Sequence, residues 1–244
     1  MRLKIKLLLA SQPGSDEAAL TAALATEVER LQQHCAGRLT PQVGFRLRDD
    51  EVARVAAGAF DEGRPFDAML EIVADAADFS ALLDACEGFA QRLNDVVDAA
   101  GSVALAGSEH VILPGSGPLL VLIANRRLRA LSHVDFLEYW LDYHGPFARE
   151  HTPPEAGLRY RQFHTDEDAT ARLLRATGLG SGDFDGAAEC YYANADAVRQ
   201  LMGDTTTVDQ ATADEKKFVD HARCVTSVFT LSDDSLTVAA RAQI

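Results

Sequence analysis

The sequence repeats itself at long range. Phe66-Asp67-Ala68-Met69-Leu70-Glu71 and Phe184-Asp185-Gly186-Ala187-Ala188-Glu189 share their Phe, Asp and Glu at an offset of 118 residues. The same offset, without a gap, sets Ala77-Asp78 on Ala195-Asp196, Leu83 on Leu201, Phe45 on Phe163 and Val111 on Phe229. Two similar copies in 244 residues restrict the chain to folds that two halves of one kind can build together.

The hydrophobic pattern of each half names the unit. Leu3, Ile5 and Leu7 alternate with Arg2, Lys4 and Lys6, which predicts a half-buried strand near 2–10. Leu20, Leu24, Val28 and Leu31 recur at helical spacing, so a helix is expected near 15–35. Strands follow near 43–48 and 66–74, then a helix near 78–99 and a strand near 103–113. In the second half the apolar run Leu119 to Ala124 predicts a strand, followed by a helix from about 133 and strands near 158–165 and 184–192. A helix near 195–203 and a strand near 223–231 complete it. Both halves read β-α-β-β-α-β, the ferredoxin-like α+β unit with helices on one face of an antiparallel sheet. The expected organisation is a first half over 1–114 and a second over 118–244, joined at Pro114-Gly115-Ser116-Gly117-Pro118. The open faces of the two sheets are expected to pack on each other as an intrachain α+β barrel.

Charge and composition narrow the partners. With 23 Lys+Arg against 37 Asp+Glu, the net charge of −14 repels nucleic acid and anionic membranes, so neither is expected as a partner. The basic start has too short an apolar run for a signal peptide, and no stretch reaches the length of a membrane span. Cys35, Cys86, Cys190 and Cys224 are too scattered for a disulfide framework or a zinc site, which suits a cytoplasmic protein with reduced thiols.

The halves differ most in their first helix. In the second, Ser132 is a good N-cap, with Asp135 in the capping-box position. Phe136, Trp140, Tyr143, His144 and Phe147 fall on one helical face, which turns His144 toward the sheet. Pro146 lacks an N–H and crowds the carbonyl of Asp142, so the helix is expected to kink or stop near Gly145-Pro146. On the strand that follows, alternation sets Tyr160, Gln162 and His164 on one face. If that face meets the helix, two imidazoles, a phenol and an amide converge on a pocket walled by Trp140 and Phe147. Imidazoles can move protons near neutral pH, and Tyr160 and Gln162 can hold an oxyanion. At the offset of 118 residues His144 falls on Thr26 and His164 on Arg46, so one site per chain is expected. The presence of Glu71 opposite Glu189 favours a structural role at the seam over catalysis, with Arg159 and Arg161 either pairing with these acids or standing solvated.

Tyr139-Trp140 through Tyr143-His144-Gly145-Pro146-Phe147-Ala148, then Gly157 to Gln162 with His164, then Phe184-Asp185-Gly186-Ala187-Ala188-Glu189 resemble the EthD family of the dimeric α+β-barrel superfamily. The resemblance covers the second half. It implies a cofactor-free pocket between helix and sheet, with relatives that decarboxylate, dehydrate or cyclise aromatic or polyketide-like compounds. It makes His144 the first catalytic candidate and His164 the second, with Tyr160, Gln162, Trp140, Tyr143 and Phe147 around the substrate. No metal is called for, and a homodimer of the fused chain is compatible with this reading. A cofactor-free monooxygenase is a chemical variant. The rival class is a non-catalytic binding or accessory protein for a hydrophobic metabolite, in which the histidines only pack or hydrogen-bond. Haem binding, found in other families of the superfamily, is a third reading.

Overall fold

A computed structural model of the chain describes residues 2–35, 38–58, 63–180 and 183–232. In chain order it comprises β1 (Arg2–Ser11), α1 (Glu17–His34), β2 (Thr40–Arg46), α2 (Asp50–Ala57), β3 (Ala68–Asp75), α3 (Phe79–Cys86), α4 (Phe89–Arg92) and β4 (Val97–Leu113). It continues with β5 (Leu119–Asn125), α5 (His133–Tyr139), a π-helical turn (Trp140–His144), α6 (Gly145–His151), β6 (Arg159–Thr165) and α7 (Glu167–Thr177). The last elements are β7 (Gly186–Tyr192), α8 (Ala195–Gly203), α9 (Thr205–Glu215) and β8 (Val225–Leu231). No helix among the described residues is long and apolar enough to cross a membrane.

The eight strands close into one antiparallel barrel in the order β1-β3-β2-β8-β5-β7-β6-β4. The first four strands run β4-β1-β3-β2 and the last four β6-β7-β5-β8. The two groups are hydrogen-bonded along both edges, through β2–β8 and β4–β6, which removes the exposed strand edges that two merely stacked sheets would keep. The strand β4 is long because its first part pairs with β1 and its last part, from Gly107, crosses to β6.

Outside the barrel, Leu3, Ile5, Leu7 and Leu9 of β1 pack under Leu20, Leu24, Val28 and Leu31 of α1. On the other side Val121 and Ile123 of β5 lie under Phe136 and Trp140. The barrel interior is a third cluster that includes Leu8, Phe66, Leu105, Leu122, Phe163 and Phe229.

The interior also holds charges, and here β1 departs from expectation. Lys4 and Lys6 alternate with leucines as a solvent face would, yet both are buried inside the barrel. Lys4 Nζ lies 2.9 Å from Glu71 and 3.2 Å from Glu189, and it also bonds Glu109. Lys6 Nζ lies 2.6 Å from Glu189 and pairs with Glu71. Burial alone would raise the Glu189 pKa, but Lys6 and Lys4 hold it below the usual carboxylate range. The expected structural role of Glu71 and Glu189 therefore has lysine partners. Arg161 instead sits 3.3 Å from Glu109, and Arg159 donates to the carbonyl of Leu158.

Two further expectations need correction. The helix expected over 78–99 is broken at Gly88, whose φ of +68° is left-handed, and β4 already begins at Val97. The short helices α2, α7 and α9 lie in segments that the sequence pattern left as connections. The 118-residue register holds strand on strand but not through the first helices, since Thr26, set opposite His144, faces solvent.

Candidate active site

The Ser132 hydroxyl accepts from the Asp135 N–H at 3.1 Å and the Asp135 carboxylate takes the Ser132 N–H, a reciprocal cap that starts α5. The chain does not stop at Gly145-Pro146. It widens into the π turn Trp140–His144, and the Gly145 N–H bonds back to the carbonyl of Trp140. The wider turn takes in a proline that cannot donate, and α6 continues with Pro146 in its first turn. A Cβ at Gly145 would sit 3.1 Å from the Ile112 side chain, a tight contact that glycine avoids. The extra residue rotates Tyr143 off the inward face: it is 66% exposed and stacks on Tyr139, so it does not line the site.

His144, the last residue of the π turn, is buried. Its Nδ1 lies 2.9 Å from Asp214 Oδ2 at the C-terminal end of α9. Asp214 is fixed in turn by the Tyr139 hydroxyl at 2.9 Å and Lys217 at 2.8 Å, both on Oδ1. Burial would raise the Asp214 pKa, but hydrogen bonds from Lys217, His144 and Tyr139 hold it below the usual carboxylate range. Burial pushes the His144 imidazole below its ordinary range, and Asp214 opposes this without reversing it. At neutral pH the ring is therefore uncharged, with Nδ1–H given to Asp214. Its Nε2 has no hydrogen-bond partner among the described residues. The result is an oriented base of the kind that carboxylate–histidine pairs supply.

His144 lines a cavity of about 150 Å³ together with Phe147, Leu158, Tyr160, Cys190 and Glu215. That is the volume of cavities known to take a benzene ring. A second, smaller space of about 10 Å³, the annex, shares His144, Tyr160 and Glu215 with it and is also lined by Trp140 and Asn125. Of the residues expected at the site, His144, Tyr160 and Phe147 line the main cavity, and Trp140 lines the annex. The Tyr160 hydroxyl accepts from Trp140 Nε1 at 2.8 Å, and burial holds it far from ionisation.

The remaining two support the wall from behind. Gln162 Nε2 donates to the carbonyl of Trp140 at 2.8 Å, and its Oε1 takes His164 Nε2 at 3.0 Å. His164 stacks on Trp140 and against His110, and burial, then the neighbouring His110 and His133, drive its pKa down to about 3. Neither residue lines the cavity, so the expected convergence of two imidazoles does not occur. The Phe184-Asp185-Gly186 motif also supports the wall. A Cβ at Gly186 would meet the Trp140 ring at 2.6 Å, and Asp185 binds Arg127 and, at 2.9 Å, His133 Nδ1.

Sequence reasoning missed Asp214 and Glu215. The signal present in the chain is two adjacent acids at the end of a helix, where the macrodipole disfavours negative charge.

An imidazole held through Nδ1 by a carboxylate is also how a protein orients a haem or metal ligand. The space does not fit a haem: a cavity that holds one aromatic ring is far smaller than a four-pyrrole macrocycle.

Residues 128–222 match the family described as the EthD domain. Among solved structures, the chain is similar to a candidate chlorite dismutase, with a TM-score of 0.53, 13% identity and 99% of each chain covered. It is also similar to a mutant chlorite dismutase from Candidatus Nitrospira defluvii, with a TM-score of 0.51, 14% identity, and 99% of this chain and 96% of that one covered. A candidate monooxygenase from Fusobacterium nucleatum gives a TM-score of 0.51 at 11% identity, over 94% of this chain and 91% of that one. Likeness at such identities speaks to fold alone. No curated protein matches the sequence. The fold is thus an α+β barrel similar to that of these solved structures, and residues 128–222 are similar to the EthD domain.

Proposed function

We propose that the chain is a cofactor-free enzyme that moves a proton on a small aromatic or polyketide-like molecule, with His144 as the base. One observation carries this reading: His144, held through Nδ1 by Asp214 and without a hydrogen-bond partner at Nε2 among the described residues, lines an apolar cavity of about 150 Å³. The chain is read as two ferredoxin-like halves, 1–114 and 118–244, fused so that only the second bears a site. In the reaction, His144 Nε2 takes a proton from a carbon activated by an adjacent oxygen, and Asp214 stabilises the imidazolium that forms. Phe147, Leu158 and Trp140 hold the ring and exclude water, while His164 and Gln162 keep Trp140 in place. The strand order within each half and the EthD match over the second half support this reading.

The test is uptake of deuterium from D2O into the methyl group of acetophenone, a single-ring ketone of the size of the cavity. The protein should accelerate exchange, and His144→Ala should remove on the order of 10²-fold or more of that rate. Equal exchange by the protein and by His144→Ala, with acetophenone bound to both, assigns the chain to the binding-protein class instead.

A further inference from the structure

The last turn of α9 presents two consecutive acids in two directions, because successive helical residues are about 100° apart. Asp214 goes to the back of the His144 ring, away from the ligand space. Glu215 lines the main cavity and its annex, the same two spaces that His144 lines. No lysine or arginine is among the described lining residues of either space, and His144 and His151 are the basic side chains there, so a neutral ligand suits the space better than an anionic one. The annex has a second unusual group. Asn125 is buried, lines the annex, and its side-chain oxygen has no donor among the described residues. At about 10 Å³ the annex has room for about one oxygen atom with its hydrogen.

We propose that Glu215 is the proton donor opposite His144, and that the ligand is a neutral single-ring ketone whose oxygen enters the annex between Glu215 and Asn125. This rests on the reading of His144 as the base. The step balances as an enolisation. The α C–H proton goes to His144 Nε2, and the electron pair of that bond becomes the C=C of the enol. The carbonyl oxygen takes the Glu215 proton, leaving a carboxylate. The new enol O–H then has an acceptor in Asn125 Oδ1. Reversal returns the ketone and both protonation states.

The surroundings keep Glu215 protonated at neutral pH. Burial, and then the neighbouring Asp214 charge, push its carboxyl up to about 8. The other titratable groups that face it are Tyr160, Tyr192, Cys190 and Cys224, all shifted toward their neutral forms by burial, and the histidines His144 and His151. His221 Nε2 lies 3.5 Å from Glu215 Oε2, but burial also turns His221 toward its neutral form, so it does not hold Glu215 ionised. The base is thus depressed and the acid raised, which is how environment sorts two groups into two roles.

The experiment measures acetophenone affinity by calorimetry at pH 6 and pH 9.5. The protein should bind at least tenfold more weakly at pH 9.5, where Glu215 is ionised. Glu215→Gln should bind equally at both pH values, within about twofold, and as the parent does at pH 6. Asp214→Asn, which removes the neighbouring charge, should move the loss of affinity to lower pH. Three results would overturn the proposal: affinity that is independent of pH, pH dependence that survives in Glu215→Gln, or no acetophenone binding at either pH. Should Glu215→Gln fail to fold, an unmoved midpoint in Asp214→Asn overturns it as well. The parent reading is judged separately, since His144→Ala should keep the pH-dependent binding and lose deuterium exchange.

Discussion

At the offset of 118 residues the two halves set like on like in the strands. Glu71 and Glu189 both reach into the barrel and share the two buried lysines. Asp67 and Asp185 are both buried carboxylates held by arginine, Arg64 at 2.9 Å in one half and Arg127 in the other. Phe66 and Phe184 meet edge to face with ring centres 6.4 Å apart. The helices differ. In the first half α1 lies on its sheet with an aliphatic stripe of Leu20, Leu24, Val28 and Leu31. In the second, the π turn lifts the chain and inserts Trp140 and His144, and α9 adds Asp214 and Glu215, for which the first half has Val96 and Val97. What the two regions have in common is strand residues, and what only the second has is the candidate site.

The largest expected effect breaks the shared part. Lys6→Met leaves Glu71 and Glu189 short of a cation inside the barrel. Removing one member of a buried ion cluster costs on the order of 3–5 kcal/mol. Urea unfolding should show that loss in a single transition, because the cluster ties β1 of one half to β7 of the other. A loss below about 1 kcal/mol would mean that the interior charges do not hold the halves together.

The next effect separates the halves. Asp214→Asn should lower the rate of acetophenone exchange by a factor of ten or more while leaving the fold intact, because the amide no longer fixes the His144 tautomer. Thr26→Ala, at the corresponding place in the first half, should change neither exchange nor stability beyond about 0.5 kcal/mol. Equal effects at the two positions would remove the distinction between the halves.

Smaller still is the pH response of the Asp185 cluster. Both ring nitrogens of His133 face acceptors, Asp185 Oδ1 at 2.9 Å and the Thr165 carbonyl at 3.0 Å. The Asp185 hydrogen bond, working against burial, raises the His133 pKa above its ordinary value. A raised folded-state pKa gives stability that is complete below the unfolded value, about 6.5, and lost as pH rises through the folded value. Unfolding free energies from pH 5.5 to 9 should therefore fall with pH more steeply in the parent than in His133→Gln. Parallel curves would contradict the double hydrogen bond. The smallest expected change is spectroscopic. Added hemin should produce no protein-bound Soret band, and a band lost in His144→Ala would show that the cavity opens to a macrocycle.

The strands were legible because a buried face writes itself as alternation, but the edge pairings that close the barrel, β2 with β8 and β4 with β6, were not. Alternation could not reveal that Lys4 and Lys6 point inward, since the inside of a small charged barrel and a solvent face have the same pattern. His144 was legible from its helical face and the following Gly-Pro. Tyr143 was misplaced because a π turn shifts every later residue by one position, and the sequence marks it only by a proline within a helix. Asp214 lies 70 positions from His144 on α9, Thr205–Glu215, whose short polar stretch has a weak apolar pattern, so its approach to the imidazole is a matter of tertiary packing. Gln162 and His164 were placed on the correct strand face but one layer too close to the ligand. Trp140 stands between them and the space they were expected to line.

In the proposed reaction His144 offers an unprotonated Nε2 to the cavity. A long-range proton–nitrogen NMR spectrum of the histidine-labelled protein at pH 7, with His144 assigned by its loss in His144→Gln, tests this directly. The expected spectrum is that of a neutral ring with the proton on Nδ1 and a bare Nε2. An imidazolium, or a neutral ring with its proton on Nε2, would contradict it.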